Sequence, residues 1–310
     1  MRPDALTLKQ LRAVQAIARH GSLTAAAEAI GLSTPAIHSQ IKALEGAVGA
    51  PVLTRAESGT GMRLTAIGQE MLRAAQQIEG ILSQAARQVG ALSAGRTGHV
   101  TLSVVSTAKY FAPRLVRILA DRCPDIAVTL RVGNRDSVIA DLAEARCALA
   151  IMGRPPREPL VQAVPLGPHP HGVILPPDHP LAGRHGFDSD LLLRETFLSR
   201  EPGSGTRMLM YRFLDQIGRD RLPDLLEMES NETIKQAVLA GLGVAFLSLH
   251  TVCDELNAGR LAVLRGPGLP VMRHWYLVRP LQMAPGPTAE RIATEIEGLA
   301  GAFLPIPPIG

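Results

Sequence analysis

The sequence predicts two parts. The first is an N-terminal all-α winged helix-turn-helix followed by a long helix with a dimerisation seam; the second is a C-terminal two-lobed α/β domain. Three observations predict it. Residues Gly21 to Glu45, GSLTAAAEAIGLSTPAIHSQIKALE, read as two short apolar-periodic helices about a tight turn. Residues Ala66 to about Ser93 carry a heptad-like apolar stripe. Beyond Gly98, short Val/Ile/Leu runs alternate with helical patterns, which points to parallel strands with right-handed crossovers. The boundaries that follow are 1–65, 66–94 and 95–310, with lobe I at about 98–164 and 272–304 and lobe II at about 165–271.

A first amphipathic helix spans Leu8 to Arg19 and packs behind the helix pair. The first helix of the pair runs from Thr24 to Ile30, with Ser22 or Leu23 ahead of it and Gly31 at its end. The second follows Ser33, a capping residue, and places Pro35 in its first turn, where a missing N–H costs nothing. Ala26, Ala27 and Ile30 form one inner face and Ile37, Ile41 and Leu44 the other. The opposite side of the second helix is polar, and its size and chemistry suit a DNA major groove. The candidate reading residues are Thr24, Ser33, Thr34, Pro35, Ala36, His38, Ser39 and Lys42. Val52–Arg55 and Met62–Leu64 can pair as a hairpin around Ser58–Gly61, a wing on which Arg55 and Arg63 stand ready for phosphate or minor-groove contacts. Thr65 caps the long helix, whose stripe has Met71, Ile78, Ala85 and Leu92 in one column and Ile67, Ala74, Ile81 and Gln88 in the other. Such a seam predicts a dimer that presents two reading helices to two half-sites.

Ser93–Gly98 is a small, glycine-bearing linker. After it, strands are predicted at His99–Val105, Ile126–Val132 and Ala148–Met152, with helices at Lys109–Asp121 and Asp136–Glu144. In the second lobe, strands are predicted at Val173–Leu175, Thr196–Leu198, Leu225–Met228 and Val244–Leu247, with helices at Thr206–Ile217 and Thr233–Ala240. The prolines between Pro165 and Pro180 read as a crossover, so the lobes are joined near Val164–Gly167 and Gly268–Met272. A strand at His274–Val278 and a helix at Thr288–Phe303 close the chain, and the two-lobe layout resembles the periplasmic-binding-protein fold.

Composition narrows the function classes. Aromatic residues make up 3% of the chain, which excludes recognition of single strands or RNA by stacking. The net charge is +4, and most of it falls in the first 65 residues, where seven basic residues meet four acidic ones, so a polyanionic partner is expected there. Cys123, Cys147 and Cys253 form no CxxC pair and read as buried thiols of a reducing compartment. With no secretory signal pattern and no run of about 18 apolar residues, a cytoplasmic protein that does not enter the membrane is expected.

Ligands of open parallel sheets bind outside the carboxyl ends of the strands. Four such ends are polar: Ser106-Thr107-Ala108-Lys109, Gly133-Asn134-Arg135-Asp136, Arg200 to Arg207 (REPGSGTR) and Ser230-Asn231-Glu232-Thr233. Helix N-termini attract anions, and cationic side chains recur beside these caps. Ser106, Thr107, Lys109, Asn134, Arg135, Arg200, Gly203, Gly205, Thr206 and Asn231 are therefore candidates for one small-anion site. Ordinary helix capping accounts for each segment taken singly. Gly203–Thr206 lacks the spacing of a phosphate-binding P-loop. His169, His171, His179 and His185 read as solvated loop histidines, no metal set is complete, and no nucleophile–base–acid constellation emerges.

LRAVQAIARHGSLTAAAEAIGLSTPAIHSQIKALEGAVGAPVLTR, followed by RLTAIG at Arg63–Gly68, resembles the winged helix-turn-helix of LysR-type transcriptional regulators. VVSTAKYFAPRL (Val104–Leu115), REPGSGTR and SNETIKQAVLAGLGVAFLS (Ser230–Ser248) are similar to the Calvin-cycle (CO2-fixation operon) regulators, the CbbR type. The resemblance implies a homodimer or homotetramer built from two kinds of dimer on double-stranded promoter DNA. It implies activation of carbon-fixation genes and no cofactor. It also implies a small-molecule effector between the lobes: a sugar phosphate, phosphoenolpyruvate or a nucleotide, bound at positions that match the candidates above. The chain departs from the family at Thr34, where glutamine is usual, at His38, where serine or threonine is usual, and at Leu53, where phenylalanine is usual. The first two lie on the reading face, so the usual base preference is not carried over. Other readings are a regulator of another metabolic operon with a non-phosphorylated effector, a metabolite-binding protein, and an enzyme with an accessory helix-turn-helix.

Overall fold

The structure is a computed structural model and describes residues 3–55, 61–93, 98–184, 186–218, 221–281 and 286–308. The wing tip at 56–60, the linker at 94–97 and His185 lie outside the described residues, as does the side chain of Leu92. The chain forms two compact units, Met1–Ala86 and Arg87–Gly310.

In the first unit, α1 (Leu8–His20) starts with a capping box, in which Thr7 Oγ1 accepts from Gln10 N while Gln10 Oε1 accepts from Thr7 N at 2.8 Å. Ser22 caps α2 (Leu23–Ala29) and Ser33 caps α3 (Thr34–Val48), satisfying N–H groups that have no partner within the helix. The turn between α2 and α3 passes through Gly31 at φ +68°, a left-handed conformation that suits glycine. Ala26, Ala27, Ile37, Ile41 and Leu44 are buried together with Leu11, Val14 and Ile17 of α1. Ile30 departs from the expected inner face: α2 ends one residue earlier, and Ile30 is 37% exposed. The wing is an antiparallel pair, β1 (Leu53–Arg55) with β2 (Met62–Leu64).

Helix α4 spans Ala66–Ser93, and Thr65 Oγ1 accepts from Gly68 N at 3.0 Å. Its expected stripe divides. Met71 is buried in the helix-turn-helix core with Ala75, and Ile78 packs on that core. Ile67, Ile81, Leu82 and Val89 stand exposed. The seam available to a second chain is therefore the exposed set, because the Met71–Ile78 column is already used by its own unit.

The second unit is built on a mixed sheet in the order β10-β6-β11-β5-β3-β4, with β9 also paired to β6. Strands β3 (Gly98–Val105), β4 (Ile126–Gly133) and β5 (Leu149–Met152) are parallel, with α5 (Ala112–Arg122) and α6 (Arg135–Ala143) between them. The expectation of a wholly parallel sheet is corrected by β6 (Val161–Leu175) and β11 (Val271–Pro280), which run antiparallel to each other along ten register positions, Pro280↔Val161 to Val271↔His171. The expected crossover loops at Val164–Gly167 and Met272 thus lie inside two strands that both lobes share. Pro165, Pro168 and Pro170 are tolerated because that stretch of β6 pairs with β11 alone; β9 (Ala245–Ser248) joins only from His171 and β10 (Ala262–Val263) from Ile174.

Lobe II adds the parallel pair β7 (Phe197–Arg200) and β8 (Leu225–Met228), with α7 (Ser189–Leu192), α8 (Gly205–Gly218), α9 (Asn231–Leu239) and α10 (Cys253–Asn257). Ahead of α5, residues Ser106–Tyr110 form a 3₁₀ turn, and α5 starts late because Pro113 favours the first helical turn. Helix α11 (Pro287–Gly298) ends earlier than expected, yet Phe303 beyond it is fully buried in the lobe I core with Trp275 and Phe111.

Candidate functional site

The reading face is built by burial on its far side. With Ile37, Ile41 and Leu44 in the core, Ser33, Thr34, Pro35, His38, Ser39 and Lys42 are left exposed, and Ala36 is half-buried. Thr24 is exposed on α2. Arg55 and Arg63 are exposed on the wing, on neighbouring strands. Lys42 donates to Glu45 at 3.0 Å, and Glu45 also accepts from Val52 N at 3.1 Å, which ties α3 to the root of the wing. No membrane-crossing helix occurs among the described residues.

In the second unit the four polar strand ends meet, as the sequence predicted. Arg200 donates to Ser106 Oγ at 3.2 Å, Tyr110 donates to Glu232 at 3.0 Å, and Gly203 packs against Asp136 and Asn134. Each contact joins one lobe to the other. Between them lies a cavity of about 60 Å³. Of the expected ligand residues, Ser106, Thr107, Arg135, Gly205 and Thr206 line it. The others stand beside it. Arg200 is 3% exposed, with its guanidinium held by Glu201, Asn231 and Ser106, so it joins the lobes instead of facing a ligand. Asn231 Oδ1 accepts from Arg200 while its Nδ2 is buried with no hydrogen-bond partner among the described residues, Asn134 caps α6 through Ser137 N, and Lys109 lies 5.2 Å from the Tyr110 ring. Gly203 faces Asp136 and Asn134.

Other residues complete the lining. Gly205, Met208, Leu209 and Arg212 fall at i, i+3, i+4 and i+7 of α8, so one face of that helix and its N-terminus turn toward the cavity. Met152, Gly153 and Arg154 come from the carboxyl end of β5, and the strand-end rule that found the other four segments also points to this one. Arg135, Arg154, Arg212 and Arg273 all line the cavity, and none of the four is in an ion pair among the described residues. Arg135 donates to Arg154 O. Burial and the neighbouring Arg154 charge lower the Arg135 pKa.

The solvated reading of His169 and His171 is corrected. Their period-2 spacing in Pro-His-Pro-His places both on one face of β6, and they are 3% and 2% exposed. The His169 ring stacks on Trp275 at 3.7 Å and 14°, and its Nε2 lies 2.9 Å from Ser248 Oγ. Trp275 Nε1 donates to His250 Nδ1 at 3.1 Å. Burial pushes His169 well below its ordinary pKa, His171 down to about 3 and His250 to about 4. No group of three or more candidate metal ligands occurs among the described residues.

Comparison with known proteins places both units. Residues 8–69 match the family model described as bacterial regulatory helix-turn-helix protein, lysR family, and residues 93–300 match the LysR substrate binding domain. The chain is 56% identical over 308 residues, 99% of each chain, to the HTH-type transcriptional regulator CbbR of Cereibacter sphaeroides. It is 40% identical over 273 residues, 88% of this chain and 89% of the relative, to a RuBisCO operon transcriptional regulator of Allochromatium vinosum. The regulatory domain of Synechocystis PCC6803 CcmR, solved in complex with 2-PG, is 31% identical, covers 66% of this chain and 98% of its own, and superposes with a TM-score of 0.62. Full-length CbnR, solved with its target DNA, shares the fold at 20% identity and a TM-score of 0.65, covering 94% of this chain and 99% of its own. These relatives are regulators, so the readings as an enzyme or a solute-binding protein give way. The chain belongs to the LysR family of helix-turn-helix transcriptional regulators.

Proposed function

We propose that this regulator activates a carbon-fixation operon as a cytoplasmic homodimer or homotetramer on promoter DNA. We propose further that a small anionic, phosphorylated metabolite bound between its lobes sets its state. The names of the relatives support the operon assignment. The observation that carries the effector class is the ring of Arg135, Arg154, Arg212 and Arg273 around one cavity. Four cations in one lining, none of them in an ion pair among the described residues, repel one another, and an anion relieves that repulsion. The α8 N-terminus and the hydroxyls of Ser106, Thr107 and Thr206 add donors for phosphate oxygens. The 2-PG in the CcmR domain is a ligand of that protein, and it gives the first compound to try here. Effector binding acts on the reading helices to the extent that it binds two states of the protein with different affinity.

Two measurements test the proposal. Gel shifts on DNA upstream of the neighbouring operon, with salt varied, should show specific binding that the effector alters. Calorimetry of the full chain against 2-PG, phosphoenolpyruvate, sugar phosphates and nucleotides should find a ligand whose affinity falls about tenfold or more in Arg135→Ala and Thr107→Ala, as expected for lost charge-assisted hydrogen bonds. Unchanged affinity in both variants would overturn the assigned site.

A further inference from the structure

One part of the cavity lining, where His169 and His171 are 3% and 2% exposed, has its own chemistry. His169 and Arg273 are directly opposite in the register of β6 and β11, and His171 follows two residues along the same face. His169 Nε2 is engaged by Ser248, while its Nδ1 is buried with no hydrogen-bond partner among the described residues. That nitrogen looks toward Gly153, where a Cβ would lie 2.9 Å away, and Gly153 and His169 both line the cavity. A buried polar atom without a partner is costly, and native proteins seldom keep one without a use.

The charges around His169 are all of one sign. Packed on it or acting on it are His171 from its own strand, Arg273 and the apolar face of Trp275 from β11, and His250 and the neutral Ser248 from the end of β9. Arg154 from the end of β5 and Arg212 from α8 complete the lining. No carboxylate is among the groups that act on His169, His171 or His250. Met152, Met208 and Leu209 wall the same space with apolar surface, which strengthens any charge interaction made inside it.

Resting on the effector reading above, we propose that His169, His171 and Arg273 form a second anion subsite, so that the effector is a compact metabolite with two acidic groups. The outer group is held at the α8 N-terminus with Thr107 and Arg135. The inner group is received by His169, whose Nδ1 binds a proton from solvent as the anion arrives. Before binding, surrounding cations and burial keep the imidazole neutral. The acidic group supplies the opposite charge that favours the protonated ring, and the new N–H donates to it.

The experiment is calorimetry of the full-length protein with inorganic phosphate, phosphoenolpyruvate and 2-PG, run in two buffers of different ionisation enthalpy to count protons. The key variant is His169→Gln. Its amide can reach Ser248 where Nε2 does, and it places no polar atom at the Nδ1 position. Arg273→Gln serves as a second variant at a half-buried site, in case the first fails to fold. The wild type should bind at least one of the two-acid ligands ten times or more tighter than phosphate. Either variant should erase most of that ratio, the two-acid ligands losing far more affinity than phosphate. Proton uptake should exceed that of His169→Gln by up to one proton per ligand, a difference in which the ligand's own ionisation cancels. A ratio that survives both variants, or an equal loss for phosphate and two-acid ligands, overturns the subsite and leaves the effector cleft standing. A wild type that binds none of these anions overturns the subsite, and one that also binds no sugar phosphate or nucleotide while still binding its operator overturns both.

Discussion

Gly68 lies in the first turn of α4, where a Cβ would come 2.1 Å from Val52 O. That carbonyl is pinned, because it accepts from Thr65 N at 3.1 Å and Val52 N donates to Glu45 of α3. A methyl group therefore has no soft neighbour to displace. Gly68→Ala is expected to cost the N-terminal unit about 2 kcal/mol through overpacking, read as a lower denaturation midpoint by circular dichroism with the slope unchanged. A neutral result would mean that α4 can shift off the wing. The reading face was legible residue by residue: Ser33 as cap, Pro35 in the first turn, and Ile37, Ile41 and Leu44 turned inward each follow from local rules. Gly68 was not legible, since the atom it makes room for lies on another element.

Among the elements, α4 and β6 show where pattern reading stops. The stripe on α4 is real as a periodicity, but a periodicity does not say which partner it meets. Met71 and Ala75 are claimed by the unit's own core, while Ile81, Leu82 and Val89 are 45%, 42% and 62% exposed. If that exposed set is the seam between two chains, Ile81→Glu combined with Leu82→Glu should convert the protein toward monomer in sedimentation and weaken operator binding by more than tenfold, since two half-sites would no longer be held together. A double variant that stays dimeric would place the interface elsewhere. Strand β6 misleads in the opposite direction. Its prolines are turn signals in most contexts, and nothing local announces that only β11 lies beside that stretch. The same prolines make His169 and His171 look like loop residues, although their alternation is the period of a strand.

At the scale of the molecule, the convergence of four strand ends on one cleft could be foreseen from topology, because both lobes obey the same rule for parallel sheets. The division of labour within the cleft could not. The charge of Arg200 points to a ligand residue, and only the fold reveals that Glu201, Asn231 and Ser106 surround it. The buried histidines also set how this unit responds to acid. His171 and His250, at about 3 and about 4, titrate below the ordinary value near 6.5 that they regain on unfolding. Their lowered values mean that the unfolded chain takes up protons the fold refuses. Stability is therefore full above pH ~6.5 and falls as pH drops through the window toward the folded values. The loss is about 2 kcal/mol per imidazole between pH 6.5 and 5. Urea unfolding followed by circular dichroism should show a clear drop in midpoint by pH 5. A drop confined to pH 4 and below would assign acid sensitivity to carboxylates alone.

Trp275 is the only tryptophan in the chain, and its indole lies face to face with His169. Indole emission responds strongly to a proton on an adjoining imidazole, which accepts an electron from the excited ring and darkens it. Whatever arrives at or leaves the inner end of the cavity, or changes the charge of that histidine, alters the fluorescence of the whole protein. The regulator thus carries a native optical probe at the place where its ligand is expected, with no second indole to blur the signal.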